Sequence, residues 1–379
     1  MHPTIDYWGH GYASGYGVAA QRLVLALLGH GLAVRWTPIE FAGTDPRFQP
    51  SRRGSVPDLE HHRRGQRRFD ALVLHATPEI IPAAQQFRGD AALICHTVWE
   101  SEHIQSHWPE LLNRCDGVIV PTEWNAETFR RGGVTAPIEV VPHVARPDTI
   151  DEVAWLDDLA GRFVVYTVAA WSPRKAPWLA MEAFARAFDP DDDTVAFVLK
   201  TGPEVFPGQV DVDAPSAVGD RTWFAMAKVM GRLGPTPEIR IIDRFLTESE
   251  LGGLHQRGDC FLGLSHGEGW DLGAFDAAMS GTPVVVTDWG APPLYLDRAS
   301  SWLVPARSVP TGLRDWGESG SGWAQPDLDR AVAMLREIRA DPAAATQRAM
   351  RQVEPLRTEY APEPVARRFL GALDRLLGR

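Results

Sequence analysis

Lysine is nearly missing from this chain. Among 379 residues it occurs only as Lys175, Lys200 and Lys228, in a sequence otherwise rich in arginine. Cysteine is scarce as well. Cys95, Cys115 and Cys260 are odd in number and have no CxxC spacing, and each lies in or beside an apolar segment. That argues against a disulfide framework and predicts buried, reduced thiols, as in the cytoplasm. No apolar run approaches the roughly 20 residues of a membrane span, and the N-terminus lacks a charged-then-apolar signal pattern. Positive charge is not in excess. The net charge of −11 argues against broad nucleic-acid or anionic-membrane binding. Short-period repeats and low-complexity tracts are absent too.

What is present fits a folded protein of two domains. The apolar fraction of 44% is ordinary, and the length exceeds that at which one core stops growing. One basic patch stands out. Arg52, Arg53, Arg63, Arg64, Arg67 and Arg68 sit with His61 and His62 before an apolar strand. It reads first as a solvated surface loop. The sharper reading is a contact with an acceptor or with phospholipid head groups, a peripheral membrane contact through Arg52–Arg68.

Apolar strands alternate with helical stretches through both halves. Expected strands cover 5–8, 32–37, 71–75, 91–97, 117–121 and 138–141, with helices at 18–28 and 124–131. Polar residues and prolines around 142–152 read as a linker. The second half restarts with strands at 162–170, 195–200, 238–242, 260–264 and 284–287. Helices are expected at 176–188, 223–233, 248–256, 274–280, 327–339 and 364–377. Such alternation means parallel sheets covered on both faces.

The stretch Ser265–Gly290, SHGEGWDLGAFDAAMSGTPVVVTDWG, carries the most chemistry. An apolar strand meets a turn with Gly267, Gly269 and Gly273, a short small-residue helix and a second apolar strand. Parallel sheets place ligands at such loops. Glycines let backbone amides approach an anion, and a helix start turns partial positive charge toward it. Glu268 and Asp276 frame the loop, eight residues apart. Carboxylates beside a diphosphate need donors, and sugar hydroxyls are natural ones.

This segment resembles the signature of retaining glycosyltransferases of family four (glycosyl transferases group 1), EGFGLPxxEAMAxGxPVV. Glu268 matches the acid that holds donor-sugar hydroxyls. Asp276 falls where the family has the glutamate that holds the ribose, and is one methylene shorter. The resemblance implies the α/β GT-B fold, two Rossmann-like domains facing each other across a cleft. It places an acceptor-side domain at 1–148, a nucleotide-sugar domain at 149–358, and a last helix, 359–379, crossing back to the first. It also implies a donor loop made of Glu268, Gly269, Trp270, Asp271, Leu272 and Gly273.

Further segments follow in the family's order. VAAWSPRKAPW resembles its GRLxxxKG element, with Lys175 at the lysine position and Ala170 where the family has arginine. Arg174 supplies the charge instead, and the two cations would neutralise the donor diphosphate. Lys200, in VLKTG, lies just past another strand on the ligand side. CHTVWESEHIQSHWP places His96 where a histidine faces the donor sugar and its phosphate, and Glu100 is an acceptor-side candidate. Ser14-Gly15-Tyr16-Gly17 resembles the family's SGYG loop near the donor phosphates. The loop Asp243–Leu246, with Arg244 and Phe245, is where the base is expected. VPTEWNAETFRRGGVTAPIEVVPHV resembles a fold-encoding phrase, so Trp124 and Phe129 read as core.

The implied activity is transfer of a sugar from a nucleotide-diphosphate donor with retention, with His96, Lys175 and Glu268 as the catalytic set. The acceptor would be a glycan, a lipid carrier or a small molecule, in polysaccharide or glycoconjugate synthesis. No cofactor or metal is implied: Asp191-Asp192-Asp193 reads as a surface turn, not a magnesium site. Two other readings stand beside it. One is a GT-B protein that binds sugar nucleotide without turnover, supported by Asp276 and Ala170. The other is an NAD(P)-dependent oxidoreductase, resting on Gly9, Gly11 and Gly15 with Glu40 as a candidate ribose acid.

Overall fold

The computed structural model describes residues 2–11, 14–39, 57–62, 68–148, 150–151, 153–202, 222–311 and 322–379. The chain divides into two compact units, Met1–Ala145 with Arg357–Arg379, and Arg146–Leu356.

The first unit is built on a six-stranded parallel sheet. Its strands are β1 (Ile5–His10), β2 (Val34–Ile39), β3 (Ala71–His75), β4 (Ala92–His96), β5 (Gly117–Val120) and β6 (Ile138–Val140). They run in the order β2-β1-β3-β4-β5-β6, so the direction of winding reverses between β1 and β3. β1, β3 and β5 are buried at every position, which is why β3 and β5 read as nearly continuous apolar runs and not as alternating ones. The Gly15–Gly29 helix starts where Ser14 accepts a hydrogen bond from Gly17 N at 3.0 Å, as an N-cap should. Its apolar face (Leu23, Val24, Leu27) packs with Phe369, Leu370 and Leu373 of the Pro362–Leu376 helix over Ile5 and Tyr7. The last helix of the chain is thus part of the first unit's core. It sits directly over β5, where a Cβ on Gly117 would lie 2.5 Å from Leu376.

The second unit repeats the plan. β7 (Phe163–Val168), β8 (Val195–Lys200), β9 (Glu238–Ile242), β10 (Cys260–Gly263), β11 (Val284–Thr287) and β12 (Trp302–Val304) form a parallel sheet in the order β12-β11-β10-β7-β8-β9. Here the winding reverses between β7 and β10. Phe184, Leu335, Phe197, Leu262, Val285 and Trp302 lie in one core. The Glu248–Arg257 helix opens with a capping box, Thr247 Oγ1 accepting from Glu250 N and Thr247 N donating to Glu250.

The expected strands and helices fall within a few residues of those observed. Short helices at Pro57–Glu60, Ile81–Gln85, Trp108–Leu112 and Pro292–Tyr295 were not expected, and the larger differences lie between 302 and 359. β12, an antiparallel pair β13 (Ala306–Pro310) and β14 (Gly322–Pro326), and two helices, Pro342–Met350 and Val353–Glu359, were not expected. β12 has only three residues, too short for a period to show. The Asp341-Pro342 start of the first extra helix was legible: Asp341 accepts from Ala344 N at 3.0 Å and proline fills the first turn. Among the described residues no helix is long and apolar enough to cross a membrane.

Candidate functional site

A largely buried cluster of charges lies where the second sheet reverses, at the carboxyl ends of β7 and β10. Open parallel sheets bind ligands at such switch points. The loop after β7 carries Arg174 and Lys175, and the loop after β10 carries Glu268. Lys175 Nζ lies 2.7 Å from Glu268 Oε1 and 2.8 Å from Oε2. Arg174 donates to Glu268 Oε2 at 3.1 Å and to Gly267 O at 2.7 Å. Burial pushes the Glu268 carboxyl up, but Lys175 and Arg174 together outweigh it and hold the group below its ordinary range. The expected diphosphate cations and the expected sugar carboxylate therefore form one ion-pair cluster. The gap lined by Thr167, Lys175, Ser265, Glu268 and Asp271 is about 10 Å³, room for about one water. Within that gap a phosphate has no room while Lys175 stays paired with Glu268.

The loops are locked by backbone contacts. His266 N donates to Arg174 O at 2.7 Å, and Ala291 N donates to Glu268 O at 3.0 Å. The His266 ring stacks on Trp323 at 4.4 Å. Gly290 has φ +70°, and a Cβ there would lie 2.4 Å from the Glu268 carbonyl oxygen. Since backbone cannot yield as a flexible side chain does, Gly290→Ala is expected to destabilise the unit by about 2 kcal/mol or more. It should also displace Glu268 from Lys175 and Arg174. A melting curve checks this, and a wild-type melting temperature would refute it.

The Leu272–Met279 helix begins at Asp271, which sits in the left-handed region at φ 70° and accepts from Ala274 N at 3.4 Å. Asp271 is 8% exposed. Burial first, then the nearby Glu268 charge, pushes its carboxyl up to about 6. Trp270 is buried and stacks on Tyr295 with ring centres 4.9 Å apart, and the Tyr295 hydroxyl donates to Trp270 O at 2.8 Å. The ring is thus held in the core while its backbone shapes the loop. Gly269 is buried, and Leu272 is half-buried. Gly273 lets the helix start close to β7 and β10: a Cβ would lie 3.1 Å from Phe261 and 3.3 Å from Val168 O. Asp276 is buried one turn into the helix. Its charge adds to burial and Cys260 in raising the Tyr166 hydroxyl.

Lys200, Arg244 and Phe245 gather at the ends of β8 and β9. Lys200 donates to Thr201 O at 2.9 Å, and burial, followed by Arg244, lowers it to about 8. Arg244 is exposed and pairs with Glu250 at 2.7 Å. Phe245 is 63% exposed, a free apolar face at a strand end. Asp192 accepts from Thr194 N at 2.9 Å within the turn before β8.

In the first unit, Gly15 is exposed and Gly17 buried at the first helical turn. Between them Tyr16 ties that turn to the loop after β4: its hydroxyl donates to Val98 O at 3.1 Å and meets Thr97 Oγ1 at 3.1 Å. Glu100 is half-buried, and its charge adds to burial in raising the Tyr16 hydroxyl. His96 ends β4 and is 1% exposed. Its ring stacks on His75 at 3.9 Å, with His143 further off at 6.4 Å. His75, Tyr7 and His143 were not singled out from the sequence. The available signal was that His75, like His96, is the last residue of an apolar strand. Glu40, Arg52, Arg53, Arg63, Arg64 and Arg67 lie outside the described residues, and Arg68 is exposed. Cys95, Cys115 and Cys260 are free and buried, and burial pushes the Cys115 thiol up to about 12.

No family model matches the sequence, and no curated protein does. Solved structures do match along the whole chain. Anabaena Alr3699/HepE in complex with UDP-glucose is 14% identical, covering 99% of this chain and 100% of its own, with a TM-score of 0.67. Sucrose-phosphate synthase from Thermosynechococcus elongatus is 14% identical over 99% of each chain, with a TM-score of 0.70. An Escherichia coli structure described as trehalose-6-phosphate bound with UDP-2-fluoro glucose is 13% identical, covering 98% and 99%, with a TM-score of 0.66. At these identities the likeness is one of fold. The fold is GT-B, an α/β architecture of two Rossmann-like units.

Proposed function

We propose that this chain is a retaining glycosyltransferase that takes a sugar from a nucleoside-diphosphate donor without a metal ion. The observation that carries the reading is the Arg174–Lys175–Glu268 cluster at the switch point of the second sheet. Two cations suit a leaving diphosphate, on which charge grows as the glycosidic bond breaks. Glu268 would exchange part of its ion pairing for donor-sugar hydroxyls, and Asp276 would take the ribose diol. Lys200, Arg244 and Phe245 would flank the base. Uridine is the first base to test, because two of the similar solved structures hold UDP-glucose or its 2-fluoro analogue. Retention follows a same-face substitution: the bond from the sugar's anomeric carbon to the diphosphate breaks, the acceptor oxygen attacks on that face, and the leaving phosphate takes its proton. The acceptor would be a glycan, a lipid carrier or a small molecule, in polysaccharide or glycoconjugate synthesis in the cytoplasm.

A thermal-shift panel tests this. UDP, GDP, ADP, their common sugar conjugates and NAD(P) are each added without divalent metal. A ligand at about 100 times its Kd stabilises by roughly 2.7 kcal/mol. A shift with one diphosphate series supports the proposal. A shift with NAD(P) alone would replace it with the oxidoreductase reading.

A further inference from the structure

We propose that Tyr7 sorts His75 and His96 into opposite tautomers, leaving His96 Nε2 as an acceptor-only seat for one substrate hydroxyl. That the hydroxyl belongs to a sugar rests on the glycosyltransferase reading; the tautomers do not.

Register brings the three groups together. His75 and His96 are paired neighbours on β3 and β4, so their rings stack at 11°. Tyr7, on the adjoining strand β1, reaches both. Its hydroxyl lies 2.7 Å from His75 Nδ1 and 3.1 Å from His96 Nδ1. Burial lowers both histidines and raises the phenol, so all three are neutral near pH 7. A neutral phenol has one proton to give. It goes to one Nδ1, and the other Nδ1 must carry a hydrogen and donate to the phenol oxygen. Matching tautomers would set two lone pairs face to face or leave the phenol proton without an acceptor.

Two observations choose between the arrangements. O–H donors make shorter bonds than N–H donors, so the phenol donates at 2.7 Å to His75, and His96 Nδ1–H donates to the phenol at 3.1 Å. Independently, His96 Nε2 is a buried atom with no hydrogen-bond partner. A bare lone pair is cheaper to leave unmet than a buried N–H. Both place the His96 hydrogen on Nδ1. The cluster lies beside the β1–β3 reversal, the ligand end of this sheet. Among the described residues no group of His, Cys, Asp or Glu is arranged to hold a metal ion. What an acceptor-only nitrogen takes is an O–H, from the donor sugar or from an acceptor polyol.

Two-bond ¹H–¹⁵N correlation spectra of the ¹⁵N-histidine-labelled full chain at pH 7.5 test this. His96 is expected as the Nδ1–H form and His75 as the Nε2–H form; the same tautomer in both overturns the proposal. Tyr7→Phe keeps the ring against Trp36 and Phe369 but removes the shared hydroxyl. It should release His96 toward the Nε2–H form, and an unchanged His96 would show that Tyr7 does not set it. UDP, UDP-glucose and glucose are then added in turn. Movement of His96 Nε2 with UDP-glucose but not UDP assigns the hydroxyl to the donor sugar, and movement with glucose alone assigns it to an acceptor polyol. If UDP-glucose raises the melting temperature while His96 Nε2 stays still with every addition, the seat is refuted and the transferase reading stands. If UDP-glucose does not bind, the choice of uridine fails, and the glucose response alone decides the seat.

Discussion

Glu268→Ala is expected to abolish donor turnover and to destabilise the second unit as well. From the sequence, a residue in a ligand loop would be removed with little loss of fold. The geometry revises that expectation, because Arg174 and Lys175, 14% and 20% exposed, both rest on this carboxylate. Breaking a buried ion pair by removing one partner costs about 3–5 kcal/mol, and the partial exposure of these cations favours the lower end. If Glu268 holds the donor sugar as proposed, its loss adds a fall in turnover on the order of 10²–10³-fold. Chemical melts and release of UDP from UDP-glucose measure the two effects separately. Wild-type values in both would remove Glu268 from the site. The pH dependence has a definite sign. The folded carboxyl lies below its ordinary value of 4.5, so its contribution is present above that value and lost as pH falls through the folded pKa.

Asp271→Asn is expected to do the opposite and stabilise the protein at neutral pH. Asparagine tolerates the left-handed backbone and still accepts from Ala274 N as an N-cap, so only the charge is lost. The carboxyl of Asp271 rises from 3.8 to about 6 on folding. Between those values the folded chain binds more protons than the unfolded one, so stability falls as pH rises through the window. The full penalty of ionising Asp271, roughly 3 kcal/mol for a shift of this size, is present above about pH 6 and absent below the unfolded value. The variant should therefore gain about that much at pH 7.5 and almost nothing at pH 3. Equal gains at both pH values would show that charge is not the cause. Removing a negative charge beside Lys175 should also tighten UDP binding.

These two carboxylates show where sequence reading stops. The strands were legible because buried parallel strands are unbroken apolar runs between Gly and Pro breaks, as at Ala71–His75 and Val195–Lys200. The loop from Glu268 to Asp276 was legible because its spacing is fixed by a turn and a helix start. The pairing of Lys175 with Glu268 was not, since it joins residues 93 apart. Nor was the Tyr7 bridge, whose partners are 68 and 89 residues away. Trp270 read as part of a ligand loop, but its ring turns inward onto Tyr295, a contact made only after the chain has passed through β11. β13 and β14 escaped notice because β13 is exposed or half-buried throughout and neither strand has a continuous apolar run.

The central claim is that a nucleoside diphosphate binds the Arg174–Lys175 pair. Calorimetric titration of UDP into wild type and Lys175→Ala, without divalent metal, tests it most directly. Wild type should bind with one-site stoichiometry, and the variant should lose at least about tenfold in affinity, roughly 1.4 kcal/mol. Equal affinity in both proteins, or no binding of UDP, GDP or ADP by wild type, would contradict the claim.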